Sequence, residues 1–138
     1  MSFASTVQGI ATRAGLQVTV HNHSFVTCAF GLAGGRSQAV HMAPAGDLIG
    51  QEVIRISTRV QELPADLPAA LANQLLKMNT QFKIGSFGVM ESSGRRILMF
   101  GHNMLLGALE PSEFAIVVAT LAQSGDQYEK QFGGGDRF

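Results

Sequence analysis

A chain of 138 residues is one domain by size, long enough for a core and too short for two. Ten Lys and Arg balance ten Asp and Glu, and charged residues make up only 14%, against roughly 25% in an average soluble domain. Zero net charge excludes a charge-driven nucleic-acid binder, a hydrophobic content of 46% excludes disorder, and the longest apolar run, Phe114 to Ala122, falls short of the ~20 residues that span a bilayer. So little charge implies that part of the surface is covered.

Phe3, Val7, Ile10, Ala11 and Ala14 recur at helical spacing, and Gly15 supplies a stop, so the first helix is expected over 2–14. Residues 16–20 are β-prone and form the start of a strand or its lead-in. A hairpin follows, with Ser24 to Leu32 and Arg36 to Met42 around Gly34-Gly35. Pro44, Gly46 and Gly50 mark a loop. From Val53 to Val60, Ile54, Ile56, Thr58 and Val60 alternate with Arg55, Ser57 and Arg59, the clearest half-buried strand in the chain.

Asp66 is the expected cap of a second helix that runs to about Met78, with Leu67, Ala70, Leu71, Gln74, Leu75 and Met78 on one face. Phe82 to Met90 and Arg95 to His102 flank the turn Ser92-Ser93-Gly94. Pro111 opens a third helix over about 111–130, with Gly125 a candidate kink or break. The reading is a single α+β domain over 1–132, with one antiparallel five-stranded sheet and three helices in the order α-β-β-β-α-β-β-α. Residues 133–138 are expected to be a flexible tail.

Cys28, the only cysteine, lies in the apolar run 25–30 and reads as a small buried hydrophobe rather than a reactive thiol. The first residues carry no basic segment before an apolar core, so a cytoplasmic protein is expected, and Asn22-His23-Ser24 is an accidental glycosylation sequon. Neither a dinucleotide fingerprint nor a phosphate-loop lysine motif occurs. Gly85-Ser86-Phe87-Gly88 lacks the frame of a nucleophile elbow. His21 and His23 would share a face if both stood in a strand, which would suit a metal, but no further ligand lies nearby in sequence; the reading is no metal and no cofactor. Glu110 and Glu113 suit a helix start rather than acid–base work. Arg55, Arg59, Arg95 and Arg96 form no dense basic patch.

Apolar bulk is what remains. Val26, Cys28 and Phe30 oppose Phe25 and Ala29, and Leu98 and Phe100 oppose Ile97 and Met99, so several strands are apolar on both faces. Helices on one face would leave the other to a partner, and methionine-rich surfaces suit varied peptides. The candidate partner or dimer surface is Phe25, Phe30, Met42, Phe87, Met90, Leu98 and Phe100.

The order of elements, with Val53-Ile54-Arg55-Ile56 before Leu63-Pro64, Leu75-Leu76-Lys77-Met78-Asn79, Gly85-Ser86-Phe87, Ser92-Ser93-Gly94 and Gly125-Asp126-Gln127-Tyr128, resembles type III secretion chaperones and the related YbjN-type bacterial domains. The resemblance covers about residues 3–130. It implies a small homodimer that binds another protein, with no catalytic residues. Such chaperones are typically strongly acidic, whereas this chain has pI ≈ 6.9, which favours the YbjN-like branch. The expected function is therefore a non-enzymatic, dimeric, chaperone- or adaptor-like module that holds a client on an apolar sheet surface. The alternative is a small-molecule or metal-binding regulatory domain.

Overall fold

In the computed structural model, which describes residues 2–132, the first helix begins where the sequence supplies a cap. The Ser2 hydroxyl accepts from the Ser5 amide at 3.2 Å, opening α1 (Phe3–Arg13). The helix ends at Gly15, whose φ of 76° lets the Leu16 amide reach back to the Ala11 carbonyl at 2.9 Å. The expected tail, 133–138, lies outside the described residues.

Six strands follow rather than five: β1 (Thr19–Asn22), β2 (Phe25–Gly31), β3 (Ser37–Leu48), β4 (Gln51–Leu63), β5 (Ser86–Ser92) and β6 (Arg95–Leu105). They form one antiparallel sheet in the order β1-β2-β3-β4-β6-β5. The added strand is β1. The Asn22 carboxamide oxygen accepts from the Ser24 amide at 2.9 Å, so the turn at His23 reverses the chain instead of leading it straight into β2.

The loop expected around Pro44 and Gly46 is strand. β3 continues to Leu48, with an irregular register between Pro44 and Asp47 that absorbs the proline's missing N–H. Ile49 and Gly50, with φ of 49° and 76°, close a two-residue turn into β4. Ser93 and Gly94, at 52° and 75°, do the same between β5 and β6.

The second helix, α2 (Ala69–Asn79), starts later than expected, behind Pro68. Asp66 does not cap it and instead pairs with Arg96 at 3.1 Å. Of its expected apolar face only Leu75 is buried, because α2 packs at the sheet margin against β5 rather than across the sheet. The third helix, α3 (Pro111–Phe132), runs unbroken through Gly125. A Cβ there would stand 2.5 Å from the Thr58 methyl, so this glycine brings α3 onto β4 instead of kinking it.

α1 and α3 cover one sheet face, where Val26, Cys28, Val40, Met42, Ile54, Ile56, Leu98 and Phe100 meet Val7, Ile10, Phe114, Val118 and Leu121. Most polar groups under α3 are paired, although the buried Gln38 Oε1 has no hydrogen-bond partner among the described residues. The Gln38 amide donates to the Thr58 hydroxyl at 2.8 Å, that hydroxyl donates to the Ala39 carbonyl at 2.7 Å, and Arg36 pairs with Asp126 at 2.6 Å. The Arg36 hydrogen bond holds the Asp126 carboxyl below the usual carboxylate range.

Candidate functional site

Strand alternation sends every second residue to the face away from α1 and α3. On that face cross-strand pairing aligns Thr27, His41, Ser57, Gly101 and Ser86 in one row over five strands. A neighbouring row holds Arg59, Met99 and Gly88, and a third pairs Arg55 with Asn103. Burial follows the alternation in outline: Ile54, Ile56 and Phe100 are fully buried, whereas Arg55, Asn103, Ser86 and Gly88 are exposed, with Ser57 in the middle of the row only 6% exposed. This second face is open.

The expected partner surface divides across the sheet and requires correction. Met42, Phe87, Leu98 and Phe100 lie in the helix-covered core, and Phe30 is half-buried against it. These five side chains are spent on the core of the chain itself. Only Phe25 and Met90 stand on the open face, both half-buried and outside the main core. The apolar residues concentrate on the covered face, and the positions opposite them are largely small or polar, among them Thr27, Ala29, Ala39, Ser57, Gly88 and Gly101. Ile97 is the exception, 2% exposed on the open face, paired with Met90 and with Glu62.

Those small residues make a groove. A cavity of 540 Å³ lies over β4, β6 and β5, floored by Ser57, Gly101, Ser86 and Gly88 and flanked by Met90 and Met99. The floor is tight, since a Cβ on Gly101 would stand 3.2 Å from that of Ser57. Arg55 and Lys83 border it. The Arg55 Nε donates to the Asn103 carboxamide at 3.4 Å, and among the described residues no carboxylate pairs with Arg55, Arg59 or Lys83. The groove therefore offers two cations, hydroxyls and polarizable thioethers, groups that recognise an anionic and apolar occupant.

Across β1 to β3 the open face is aromatic. The Phe25 ring lies between His21 and His41, with centroid separations of 5.2 Å and 5.6 Å. Burial, then Arg59, then His21 lower the His41 pKa to about 4, so this imidazole is neutral near pH 7 and joins the apolar strip. His21 Nε2 shares a hydrogen bond with Thr27 Oγ1 at 2.8 Å.

The four histidines do not gather. β1 ends at Asn22 with a register shift after Val20, so His23 lies in the turn and does not share a strand face with His21. His102 is paired with Ile56, and its Nδ1 accepts from the Gly85 amide at 3.2 Å. Among the described residues no group of three His, Cys, Asp or Glu could hold a metal ion. Cys28 is 2% exposed, and burial pushes its thiol pKa up, as befits a small core hydrophobe.

One contact had no signal in sequence. Asn79, the last residue of α2, accepts from the Phe87 amide at 2.7 Å and donates to the Phe87 carbonyl at 3.2 Å, so a side chain occupies the place of a neighbouring strand on the β5 edge. No helix among the described residues is long and apolar enough to cross a membrane. Comparison with models of known protein families and with curated proteins finds no match for this chain.

Proposed function

We propose that the chain is a non-enzymatic protein-binding module, chaperone- or adaptor-like, that works as a homodimer and holds a client or partner segment on the open face of its sheet. The observation that carries this reading is the uncovered face itself. It combines Phe25, a neutral His41, Met90 and Met99 with thinly spread charge and a floor kept low by Gly88 and Gly101. Flexible thioethers and aromatic rings adapt to varied side chains, as a client-holding surface requires. The resemblance of the sequence to type III secretion chaperones and YbjN-type bacterial domains, expected with one strand fewer than the sheet has, supports the same reading and a bacterial cytoplasmic setting.

The test is suppression of aggregation. Reduced, unfolded lysozyme is mixed with the protein and its light scattering followed, beside a Phe25→Asp/Met90→Asp variant shown by circular dichroism to be folded. Suppression by the parent and its loss in the variant are expected. A parent that neither suppresses aggregation nor binds a hydrophobic dye overturns the reading. A regulatory domain for a small anionic molecule is the second reading, favoured by the groove volume of 540 Å³, within the range of about 300–1,000 Å³ for ligand pockets. A thermal-shift screen of small carboxylates and phosphates tests it.

A further inference from the structure

We infer that the β3–β4 hairpin of one copy seats its tip in the groove on the open face of a second copy, reciprocally across a two-fold axis. The inference rests on the homodimeric reading above and specifies where the copies meet; the seated hairpin covers Met90 and Met99, so a client reaches them by displacing it, while Phe25 and His41 stay outside the groove.

The hairpin tip carries three features that a free monomer does not need. Leu48 and Ile49 are 59% and 96% exposed. Ile49 holds a φ of 49°, a left-handed conformation that a β-branched residue rarely adopts, where glycine would be at ease. Asp47 and Glu52 face each other across the ladder, and no cation pairs with either among the described residues. Like charges directly opposed weaken a hairpin. Backbone strain, exposed aliphatic side chains and opposed carboxylates therefore coincide at one tip, where a binding role would account for all three.

The groove is the counterpart. Arg55 and Lys83 border it without carboxylate partners among the described residues, and Met90 and Met99 supply apolar walls. Two aliphatic side chains flanked by two carboxylates match walls of two thioethers flanked by two cations. Position favours closure as well. Glu52 and Arg55 are three residues apart on β4, so the hairpin tip and the groove are near neighbours on one protomer, with Leu48 on the side of Arg55 and with Asp47 and Glu52 projecting to the side of Ile54. A two-fold axis between them carries each hairpin to the other's groove, giving a self-complementary interface that closes at two copies. A dimer interface of standard size takes about 800 Å² from each partner, roughly a tenth of the 7723 Å² surface here.

Sedimentation equilibrium over a dilution series, with circular dichroism to establish folding, tests the inference on four proteins. They are the parent, Ile49→Gly, the groove reversal Arg55→Glu/Lys83→Glu, and the hairpin reversal Asp47→Lys/Glu52→Lys. Ile49→Gly suits the turn, so the monomer stays folded while the anchor is lost. Each variant is expected to weaken self-association by about tenfold or more. Mixing the two reversal proteins should restore a heterodimer, because the reversed hairpin then meets the reversed groove and the native hairpin the native groove, each pair of opposite sign. A parent dimer that any of these variants leaves unaffected, or a mixture that fails to associate, overturns the inference and leaves the homodimer standing on another surface. A monomeric parent overturns both this inference and the homodimeric part of the proposed function, and the lysozyme assay then decides client binding separately.

Discussion

Replacing Gly125 by alanine should destabilise the protein, although alanine is the better helix former by about 1 kcal/mol. The new Cβ would lie 2.5 Å from the Thr58 methyl, 3.2 Å from the Thr58 hydroxyl and 3.2 Å from the Gln38 amide nitrogen. The first contact is about 1 Å inside normal carbon–carbon separation. α3 must lift from β4 or Thr58 must rotate, and rotation breaks the Gln38–Thr58 and Thr58–Ala39 hydrogen bonds. Overpacking of this kind costs about 1–3 kcal/mol, and a disrupted buried hydrogen bond adds about 1 kcal/mol. The steric term exceeds the propensity gain, so urea unfolding should show a net loss of about 1–3 kcal/mol.

Gly9→Ala is the control. Gly9 is in α1, exposed, and a Cβ there meets nothing within 4 Å, so propensity acts alone and a gain of about 0.5–1 kcal/mol is expected. Thr58→Ser removes the clashing methyl and keeps the hydroxyl. The double variant Gly125→Ala/Thr58→Ser should therefore be less unstable than the two single effects sum to. If Gly125→Ala stabilises the protein as Gly9→Ala does, the close approach of α3 to β4 is not as described.

Three further outcomes are expected. His41, at about 4 against an ordinary 6.5, is neutral in both states above pH 6.5. Below that the unfolded chain takes up the proton first, so stability is lost as pH falls from 6.5 towards 4. The loss is about 1–2 kcal/mol once solvent screening at this half-buried ring is allowed for, and His41→Phe should flatten it in urea unfolding at stepped pH. Asp126 has a lowered pKa through Arg36, so its contribution is present above the usual carboxylate range and is lost only at lower pH, as the folded pKa is crossed; Asp126→Asn should remove that acid limb. Asn79→Ala should cost about 1–2 kcal/mol and speed amide exchange at Phe87, whose N–H and C=O it leaves without their partner; unchanged exchange would refute the edge-guard role.

The sequence carried the class of fold well where local chemistry is decisive. The alternation of Ile54 and Ile56 with Arg55 and Ser57 identified both a covered and an uncovered face, and the spacing of Phe3, Val7, Ile10 and Ala11 with the stop at Gly15 set α1. Pro44 and Gly46 misled because a bulge accommodates both inside a strand, and β1 was obscured because its four residues are all exposed and show no alternation. Gly125 was ambiguous in one dimension, since a glycine that breaks a helix and one that admits a neighbour look identical until β4 is placed beside it. The face expected to meet a partner was legible only in part. Apolar residues on both faces of a strand say nothing about which face α1 and α3 will take, and five of the seven residues went to the core or its margin. The groove was missed because Ser57, Ser86, Gly88 and Gly101 lie on three strands and become one floor only through register.

Methionine methyl groups report on both sides of the sheet at once, which makes their NMR signals the most direct test of the central claim. Met90 and Met99 stand on the open face, Met42 is fully buried beneath the helices, and Met78 is on α2. In spectra of methyl-labelled protein titrated with reduced, unfolded lysozyme, the Met90 and Met99 signals should shift or broaden while Met42 stays in place. Perturbation confined to Met78, or no perturbation at Met90 and Met99 at saturating lysozyme, would contradict an open sheet face as the surface that holds a client.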